Sequence, residues 1–250
     1  MSGLRLEAQP VMGLPELEPG ADLAGLIAAS GVAILAGDVV VVAQKAVSKV
    51  EGRLRALAGV TPSAAAEELA VRLDKDPRAV QLILDESTEV LRAERGVLIT
   101  RTRHGYVCAN AGVDASNVPQ GTVALLPEDP DDSARRLRAS IAERVGVEPA
   151  VVVSDSFGRP WRLGQTDVAI GCAGLEPIDD RRGKADAGGR ELSATELAVA
   201  DEAASAAALV RDKAGREAVV VVRGLERYVT EADSPGAAAL VRPRDEDLFA

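Results

Sequence analysis

Short runs of aliphatic residues, separated by polar segments that contain glycine, set the hydrophobic pattern of this 250-residue chain. Three of these runs are almost wholly valine, which is typical of strands that are buried on both faces of a sheet. Two further apolar segments flank Arg103-His104-Gly105 and predict a β-hairpin around that turn. The predicted strands are Val39–Val42, Val97–Thr102, Tyr106–Ala109, Thr122–Leu126, Val151–Val153 and Val219–Val222.

Apolar residues at helical spacing predict helices between these strands. A capping residue followed by proline marks two helix starts, at Thr61-Pro62 and at Asp76-Pro77, and the second helix is expected to cover 78–92. A Ser193–Glu196 capping box predicts a long alanine-rich helix that ends near Val210. Two further helices are expected at Asp22–Ala29 and Ser133–Val145.

The fold class follows from the order of these elements. Strands and helices do not alternate strictly, which favours an α+β fold with mixed sheets and packed helices over a doubly wound Rossmann sheet. An apolar content of 47% can build either one domain, 1–250, or two small intertwined subdomains. The sequence contains no GxxxxGK[ST], GxGxxG, GxSxG or HExxH motif, so a P-loop nucleotide site is excluded.

The charge balance narrows the function. A net charge of −10 and an aromatic content of 2% argue against general binding of nucleic acids or anionic membranes, which needs a basic face or stacking platforms. Arg135, Arg136 and Arg138 are expected to form a solvated helix face. An acidic protein that binds an anionic nucleotide must place basic side chains locally or recruit cations. The composition therefore favours a metal-assisted site.

The cysteines and the single histidine exclude several other chemistries. Cys108 and Cys172 follow no ligand spacing, so they predict buried core residues in a reducing compartment and not a zinc site or a disulfide. His104 is expected to be a turn residue, which removes most histidine-based mechanisms. Residues 1–10 lack the pattern of a signal peptide, and no apolar run reaches membrane-spanning length. We therefore expect a cytoplasmic protein without nucleic-acid or membrane partners.

Two aspartates that follow apolar strands are the strongest candidates for chemistry. Asp114 and Asn117 lie in the loop NAGVDASN, and Asp155 and Ser156 lie in the segment SDSFGR. Carboxylates at the ends of neighbouring strands can converge on Mg²⁺ or Mn²⁺, and an asparagine can hydrogen-bond a nucleotide. An aspartate after a strand is also a common turn former or helix cap, so each motif alone is weak evidence.

The order of four segments gives the chain a resemblance to a known family. NAGVDASNV, SDSFGRPWRLGQTDVAIG, GRELSATELAVADE and VVVRG follow one another as they do in coenzyme F420-0:L-glutamate ligases. The likeness extends over about 14–224 and implies the γ-glutamyl ligase-like fold and a homodimer. At 250 residues we expect the single-domain form, without the nitroreductase-like domain that some relatives carry.

The resemblance also implies ligands for metal and nucleotide. Asp114, Asp155 and Ser156 are implied to hold two divalent ions, Mg²⁺ or Mn²⁺, with K⁺ as a further candidate. The family usually has Thr in place of Ser156 and Ser in place of Gln44. The implied GTP contacts are Leu14, Pro15, Glu16, Leu17, Gln44, Lys45, Lys49 and Asn117, with the segment 212–218 as a looser match.

Some of these residues keep a second interpretation. Lys45 and Lys49 could reach a phosphate from the end of a strand, and the alternative, which the residues alone favour, is that they are solvated surface lysines. Arg159, Arg162 and Gln165 either meet the anionic phospholactyl part of the substrate or lie on the surface.

The reaction that the resemblance implies is GTP-dependent glutamylation. The terminal carboxylate of F420-0 would attack the γ-phosphate to give an acyl phosphate and GDP, and the amine of L-glutamate would then displace phosphate. This route needs no covalent enzyme nucleophile, and the number of glutamates added stays open. The alternatives are a metal-dependent phosphohydrolase or nucleotidyltransferase that uses the same two aspartates, and a non-catalytic nucleotide-binding protein.

Overall fold

Strands from several separate sheets and packed helices make up the described part of the chain, residues 5–212 and 217–247 of a computed structural model. The strands are β1 (Glu7–Pro10), β2 (Val39–Ala43), β3 (Leu54–Ala56), β4 (Ser87–Glu94), β5 (Val97–Thr102), β6 (Val107–Ala109), β7 (Thr122–Ala124), β8 (Ala150–Arg159), β9 (Arg162–Ala173), β10 (Asp179–Asp180), β11 (Glu196–Leu197) and β12 (Val219–Arg223). The α-helices are α1 (Leu23–Ala29), α2 (Gln44–Val50), α3 (Ala64–Leu73), α4 (Pro77–Asp85), α5 (Pro130–Val145) and α6 (Val199–Ala208). The α+β fold class is confirmed.

The central sheet has the strand order β1-β12-β2-β8-β9. The β2–β8 pair is parallel, and the other three pairs are antiparallel. Val40 and Val42 enter the core beneath α1 and α5, whereas Val39 and Val41 pack against α6 on the opposite face. Successive side chains of a strand point to opposite faces, so a continuous valine run suits a sheet that is covered on both sides. The prediction for these strands is confirmed.

A second cluster of helices and strands packs beside this sheet. Helices α3 and α4 cover the antiparallel sheet β4-β5-β6 around Leu73, Val80 and Leu98. Helix α4 also packs through Leu82 on Val123 of the β3–β7 ribbon. The division of the chain into one domain or two intertwined subdomains stays a prediction.

A buried ion pair fixes the junction between β3 and the end of α4. Arg53 Nη2 lies 3.1 and 3.2 Å from the two carboxylate oxygens of Glu86, and Arg53 Nε donates to the Leu126 carbonyl at 2.9 Å. Glu128 and Arg103 complete the network. The Arg53 and Glu86 side chains are only 7% and 9% exposed, so they form the buried part of this network, and Glu128 and Arg103 add charge from its exposed side.

The helix that was expected over 78–92 is wrong in its second half. Asp76 caps the helix and Pro77 is its first residue, as expected, but α4 ends at Asp85. The chain then forms β4, which pairs with β5 from Ser87↔Thr102 to Glu94↔Val97. The prediction relied on apolar residues at helical spacing, namely Val80, Leu84, Ser87 and Leu91. After Glu86, however, the backbone N–H and C=O groups form hydrogen bonds with β5, and local spacing does not reveal such a partner strand.

Three other helix starts also differ from expectation. Helix α3 begins at Ala64 with Ser63 as its cap, and not at Thr61-Pro62. Helix α5 begins at Pro130 with Asp129 as its cap, three residues before the expected start. The Ser193–Glu196 box does not cap a helix, since Glu196 belongs to β11 and pairs with Asp180 of β10. Helix α6 begins at Val199 instead.

Arg138 does not lie on a solvated helix face, as had been expected for the arginines of α5. It is buried and donates to the carbonyls of Pro149, Thr230 and Glu231 at 2.9–3.1 Å. Arg138 also pairs with Asp233 at 3.1 Å. Helix periodicity placed this residue correctly on α5, but three of its partners come from a segment more than ninety residues later.

Other local predictions are confirmed. Helix α1, the β5–β6 hairpin and the final strand β12 lie where the sequence indicates. Cys108 and Cys172 are buried free thiols. Among the described helices, none combines the length and the apolar character that crossing a membrane requires.

Candidate active site

The parallel pairing of β2 and β8 brings two of the candidate segments together. The register runs from Val39↔Ala150 to Ala43↔Ser154, where β2 ends and α2 begins. Lys45 lies in the first turn of α2, directly after β2. It is therefore close to Asp155, which follows Ser154 on the neighbouring strand β8. The sequence predicted that the strand ends before Asp155. Instead, β8 continues past this residue, because β9 pairs with it as far as Arg159↔Arg162. Asp155 thus lies in the middle of a long strand, one residue after Ser154, which forms the last pair with β2.

Asp114 reaches the same place from the loop after β6. Its backbone forms a bridge with Ala124, with N–O distances of 3.1 and 2.8 Å. Its carboxylate accepts the Ser116 backbone N–H at 2.7 Å and lies 2.7 Å from Lys45 Nζ. Burial opposes ionisation of Asp114, but the hydrogen bonds from Lys45 and Ser116 outweigh it and lower the pKa of this carboxyl. The loop therefore presents an anionic carboxylate.

Asp155 has the opposite electrostatic character. Partial burial, together with the charges of Asp167 and Asp114, raises the pKa of Asp155 to about 7. The Ser156 backbone N–H and the Lys45 ammonium act in the other direction but do not compensate. Carboxylates that crowd in this way are short of positive charge, which is the situation that a bound cation relieves.

Ser156 faces away from this group. It follows Asp155 in a strand, so its side chain points to the opposite face of the sheet. There the Ser156 hydroxyl donates to Asp167 Oδ1 at 2.6 Å, and Arg211 Nη1 contacts Asp167 Oδ2 at 2.9 Å. Sequence reasoning missed both Asp167 and Arg211. An acidic residue directly before the apolar run VAIGCA was the available signal for Asp167, whereas Arg211 carries none.

The four implied nucleotide contacts at 14–17 divide into two kinds. Leu14 and Leu17 are buried in the core beneath the central sheet, so only their main chain is available to a ligand. Pro15 and Glu16 are exposed between them. Glu16 forms an ion pair with Lys49, whose side chain is almost buried. This pair holds the 14–17 turn against α2.

Gln44 and Lys45 begin α2, a helix that the sequence did not predict. Gln44 Oε1 accepts the Ser48 hydroxyl at 2.9 Å, and Ser48 also contacts the Leu125 carbonyl at 2.6 Å. The Gln44 Nε2 group is buried, and within 5–212 and 217–247 it has no hydrogen-bond partner. The contact with Ser48 holds the Gln44 side chain at the start of α2, beside Lys45.

The remaining implied contacts lie further out. Asn117 is exposed on the loop that follows Asp114 and has a φ of +55°. Arg159, Arg162 and Gln165 are exposed on the β8–β9 ribbon beyond Asp155, and Arg159 donates to the carbonyls of Leu163 and Gly164. Of the segment 212–218, residues 213–216 lie outside the described residues.

The donor set fits a hard divalent cation that takes further ligands from a substrate. Carboxylate and hydroxyl oxygens suit Mg²⁺ or Mn²⁺, and Mg²⁺ commonly binds one or two carboxylates together with substrate phosphates. In the described part of the chain, no three His, Cys, Asp or Glu side chains form a metal-binding group by themselves. The nearby Asp114 carboxylate adds to the cost of ionising Asp155, and a cation at this place would offset that cost.

Comparisons with known proteins identify the family of the chain. The family model described as F420-0:Gamma-glutamyl ligase matches residues 12–224. The chain is 44% identical over 244 residues to coenzyme F420:L-glutamate ligase of Methanothermobacter thermautotrophicus, covering 96% of each chain. It is 45% identical to that of Methanopyrus kandleri, covering both chains fully, and 43% identical to that of Haloarcula marismortui, covering 97% of this chain and 95% of the relative. The chain belongs to the F420-0:gamma-glutamyl ligase family.

Proposed function

We propose that this enzyme joins L-glutamate to coenzyme F420-0 through an amide bond, with GTP as the co-substrate. The family and its named relatives support the glutamate ligation. The observation that carries the proposal is the convergence of Asp114, Asp155 and Lys45 where β2 ends beside β8. Two carboxylates and a movable ammonium group are the parts that a phosphoryl-transfer site needs.

Asp114 and Asp155 would hold one divalent cation, and Ser156, whose hydroxyl lies on the opposite face of the sheet beside Asp167, would be available only to a second one. When bound, Mg²⁺ or Mn²⁺ would neutralise negative charge on the β- and γ-phosphates of the nucleotide. The two carboxylates are prepared differently for this task. Asp114 is anionic and already ordered by Ser116, whereas burial and repulsion make Asp155 costly to ionise without a partner of opposite charge.

The two lysines would bind the phosphates. Lys45 pairs with Asp114 and Lys49 pairs with Glu16, so each ammonium group is held near the site by a carboxylate that a more highly charged ligand can displace. Leu14 and Leu17 would anchor the turn in the core, so that its main chain and Pro15 face the nucleotide. Asn117, Gln44 and the segment 212–218 complete the proposed contacts, and K⁺ remains a further candidate cofactor.

The reaction proposed for this site uses no covalent enzyme nucleophile. A carboxylate oxygen of F420-0 attacks the γ-phosphorus, the bond to the β-phosphate oxygen breaks, and GDP leaves. The amine of L-glutamate then attacks the acyl carbon, and inorganic phosphate leaves as the amide forms. Correct placement of reactants can supply about 7–11 kcal/mol of the barrier in favourable cases. Arg159, Arg162 and Gln165 would bind the anionic acceptor, and a homodimer is part of the proposal.

An end-point assay by mass spectrometry tests this proposal. The protein is incubated with F420-0, L-glutamate, GTP and Mg²⁺ or Mn²⁺, and single omissions of nucleotide and metal serve as controls. We expect glutamate addition with equal amounts of GDP, and loss of both in Asp155→Asn. GDP formed without glutamylation would instead support a phosphohydrolase. Product formation at the full rate with ATP would refute the choice of GTP.

A further inference from the structure

The ammonium group of Lys45 acts on both carboxylates of the site. Lys45 Nζ lies 2.7 Å from Asp114 Oδ2, and it also contacts the Ser116 hydroxyl. Asp155 is close by on the neighbouring strand β8. Burial raises the pKa of Asp155, and the positive charge of Lys45 acts against that rise. Lys45 is thus a positive charge that Asp114 and Asp155 share.

The contact between Lys45 and Asp114 can be broken without loss of the loop. The Lys45 and Asp114 side chains are 23% and 42% exposed, so water reaches the pair, and an ion pair of this kind adds little to stability. The position of Asp114 has other supports. Its carboxylate accepts the Ser116 backbone N–H at 2.7 Å, and its main chain forms a bridge with Ala124. Lys45 is therefore a reversible partner of Asp114.

Lys49, one turn further along α2, has a different partner. Its side chain is nearly buried, and its ammonium group pairs with Glu16 in the 14–17 turn. The two lysines of this helix therefore compensate different carboxylates, and Lys45 is the one that contacts Asp114.

A lysine ammonium and a divalent cation compete for the same carboxylate oxygens. An oxygen lone pair that accepts a hydrogen bond is not available to a metal ion, and the repulsion between a single and a double positive charge is twice that between two unit charges at the same distance. Lys45 must therefore leave Asp114 when a cation binds there. The phosphate of a nucleotide at the same site is an anion that can accept the released ammonium group.

We propose that Lys45 is an internal counter-ion of Asp114 and Asp155 that competes with the divalent cation until a nucleotide phosphate takes up its ammonium group. This role deepens the proposed function and rests on it, since it requires that the two aspartates bind the cation. The nucleotide then raises the affinity for the cation by drawing Lys45 away from the carboxylates. By linkage, the cation raises the affinity for the nucleotide by the same factor.

Mn²⁺ binding with and without GDP tests this competition. Free Mn²⁺ is measured by electron paramagnetic resonance in titrations of wild type and Lys45→Met, without nucleotide and at GDP concentrations that saturate each protein. Without nucleotide we expect Lys45→Met to bind Mn²⁺ about five- to tenfold more tightly than wild type, because the competing ion pair is absent. With GDP the two affinities should be nearly equal, because the ammonium group of wild type then contacts phosphate.

Two substitutions separate competition from a general effect of charge. Lys49→Met removes the same charge from the same helix, but from a lysine that pairs with Glu16, so its Mn²⁺ affinity without nucleotide should stay close to that of wild type. Lys45→Arg keeps the charge beside Asp114 and should retain the weaker binding of wild type. Equal tightening of Mn²⁺ binding in Lys49→Met, or tightening in Lys45→Arg, would overturn the competition.

Failure of this inference is distinguishable from failure of the proposed function. If Lys45→Met does not fold, Lys45→Gln takes its place, because the amide can still donate to Asp114 and carries no charge. Saturable Mn²⁺ binding by wild type that substitution of Lys45 leaves unchanged or weakens would overturn the role of Lys45 alone. Absence of saturable binding in wild type with and without GDP, or binding that Asp155→Asn retains in full, would overturn the metal site and this inference together.

Discussion

Replacing Asp155 by asparagine is expected to remove activity and, in the metal-free protein, to increase stability. The pKa of this carboxyl rises from 3.8 to about 7 because the side chain is buried near Asp167 and Asp114. Each pKa unit corresponds to about 1.36 kcal/mol, so ionising Asp155 costs the folded state on the order of 4 kcal/mol relative to the unfolded chain. Asparagine has nearly the same shape and carries no charge.

The stability difference between Asp155→Asn and wild type is expected to depend on pH. Above pH 7 Asp155 is ionised in both states, and the folded state bears the full cost. As the pH falls from 7 toward 3.8 the folded protein takes up a proton first, so the cost disappears. In chelator at pH 8 we therefore expect Asp155→Asn to be about 2–4 kcal/mol more stable than wild type, allowing for relaxation around the buried charge. Near pH 4 the difference should vanish.

Urea unfolding at a series of pH values, with chelator present, measures this difference. Asp167→Asn is the contrasting variant, because its carboxylate is paired with Arg211 at 2.9 Å and its loss leaves a nearly buried guanidinium without a counter-ion. Breaking a buried pair costs about 3–5 kcal/mol, so this variant should be less stable at pH 8. Equal or lower stability of Asp155→Asn at pH 8 would refute the electrostatic argument.

Two further substitutions test separate parts of the account. Glu86→Gln removes the buried partner of Arg53 and is expected to lower the free energy of unfolding by about 3 kcal/mol, measured in urea; a loss below about 1 kcal/mol would contradict the ion pair's role. Lys45→Met should raise the KM for GTP at least tenfold in steady-state assays, since it removes a phosphate-binding charge. Lys75→Met, between α3 and α4, is the matched control and should leave that KM unchanged.

The sequence predicted best those strands and site residues whose positions depend on the local pattern of a single strand or loop. The valine runs at 39–42, 151–153 and 219–222 indicated strands buried on both faces, because no other environment suits a run of β-branched residues without polar alternation. Asp114 and Asp155 could be selected from their loops and strands, and the fold brings both near Lys45. These features depend on local pattern and on the parallel pairing of β2 with β8.

The features that the sequence did not reveal depend on distant partners. Arg211 contacts Asp167 and the Val41 carbonyl across gaps of 44 and 170 residues, and no local signal marks such a contact. In the same way, Arg138 is buried because a segment near 230 supplies carbonyl acceptors. The residues after Asp85 had helical spacing, yet they pair with β5 because strand partners outweigh helix propensity there.

Transfer of oxygen from the acceptor to phosphate tests the central claim most directly. F420-0 labelled with ¹⁸O in its terminal carboxylate is incubated with GTP, Mg²⁺ and L-glutamate, and the released phosphate is analysed by mass spectrometry. The proposed acyl phosphate breaks between the acyl carbon and the labelled oxygen, so we expect one ¹⁸O in each phosphate formed. With Asp155→Asn we expect neither labelled phosphate nor glutamylated product. Phosphate that contains no ¹⁸O, whether or not GDP forms, would contradict the ligase mechanism.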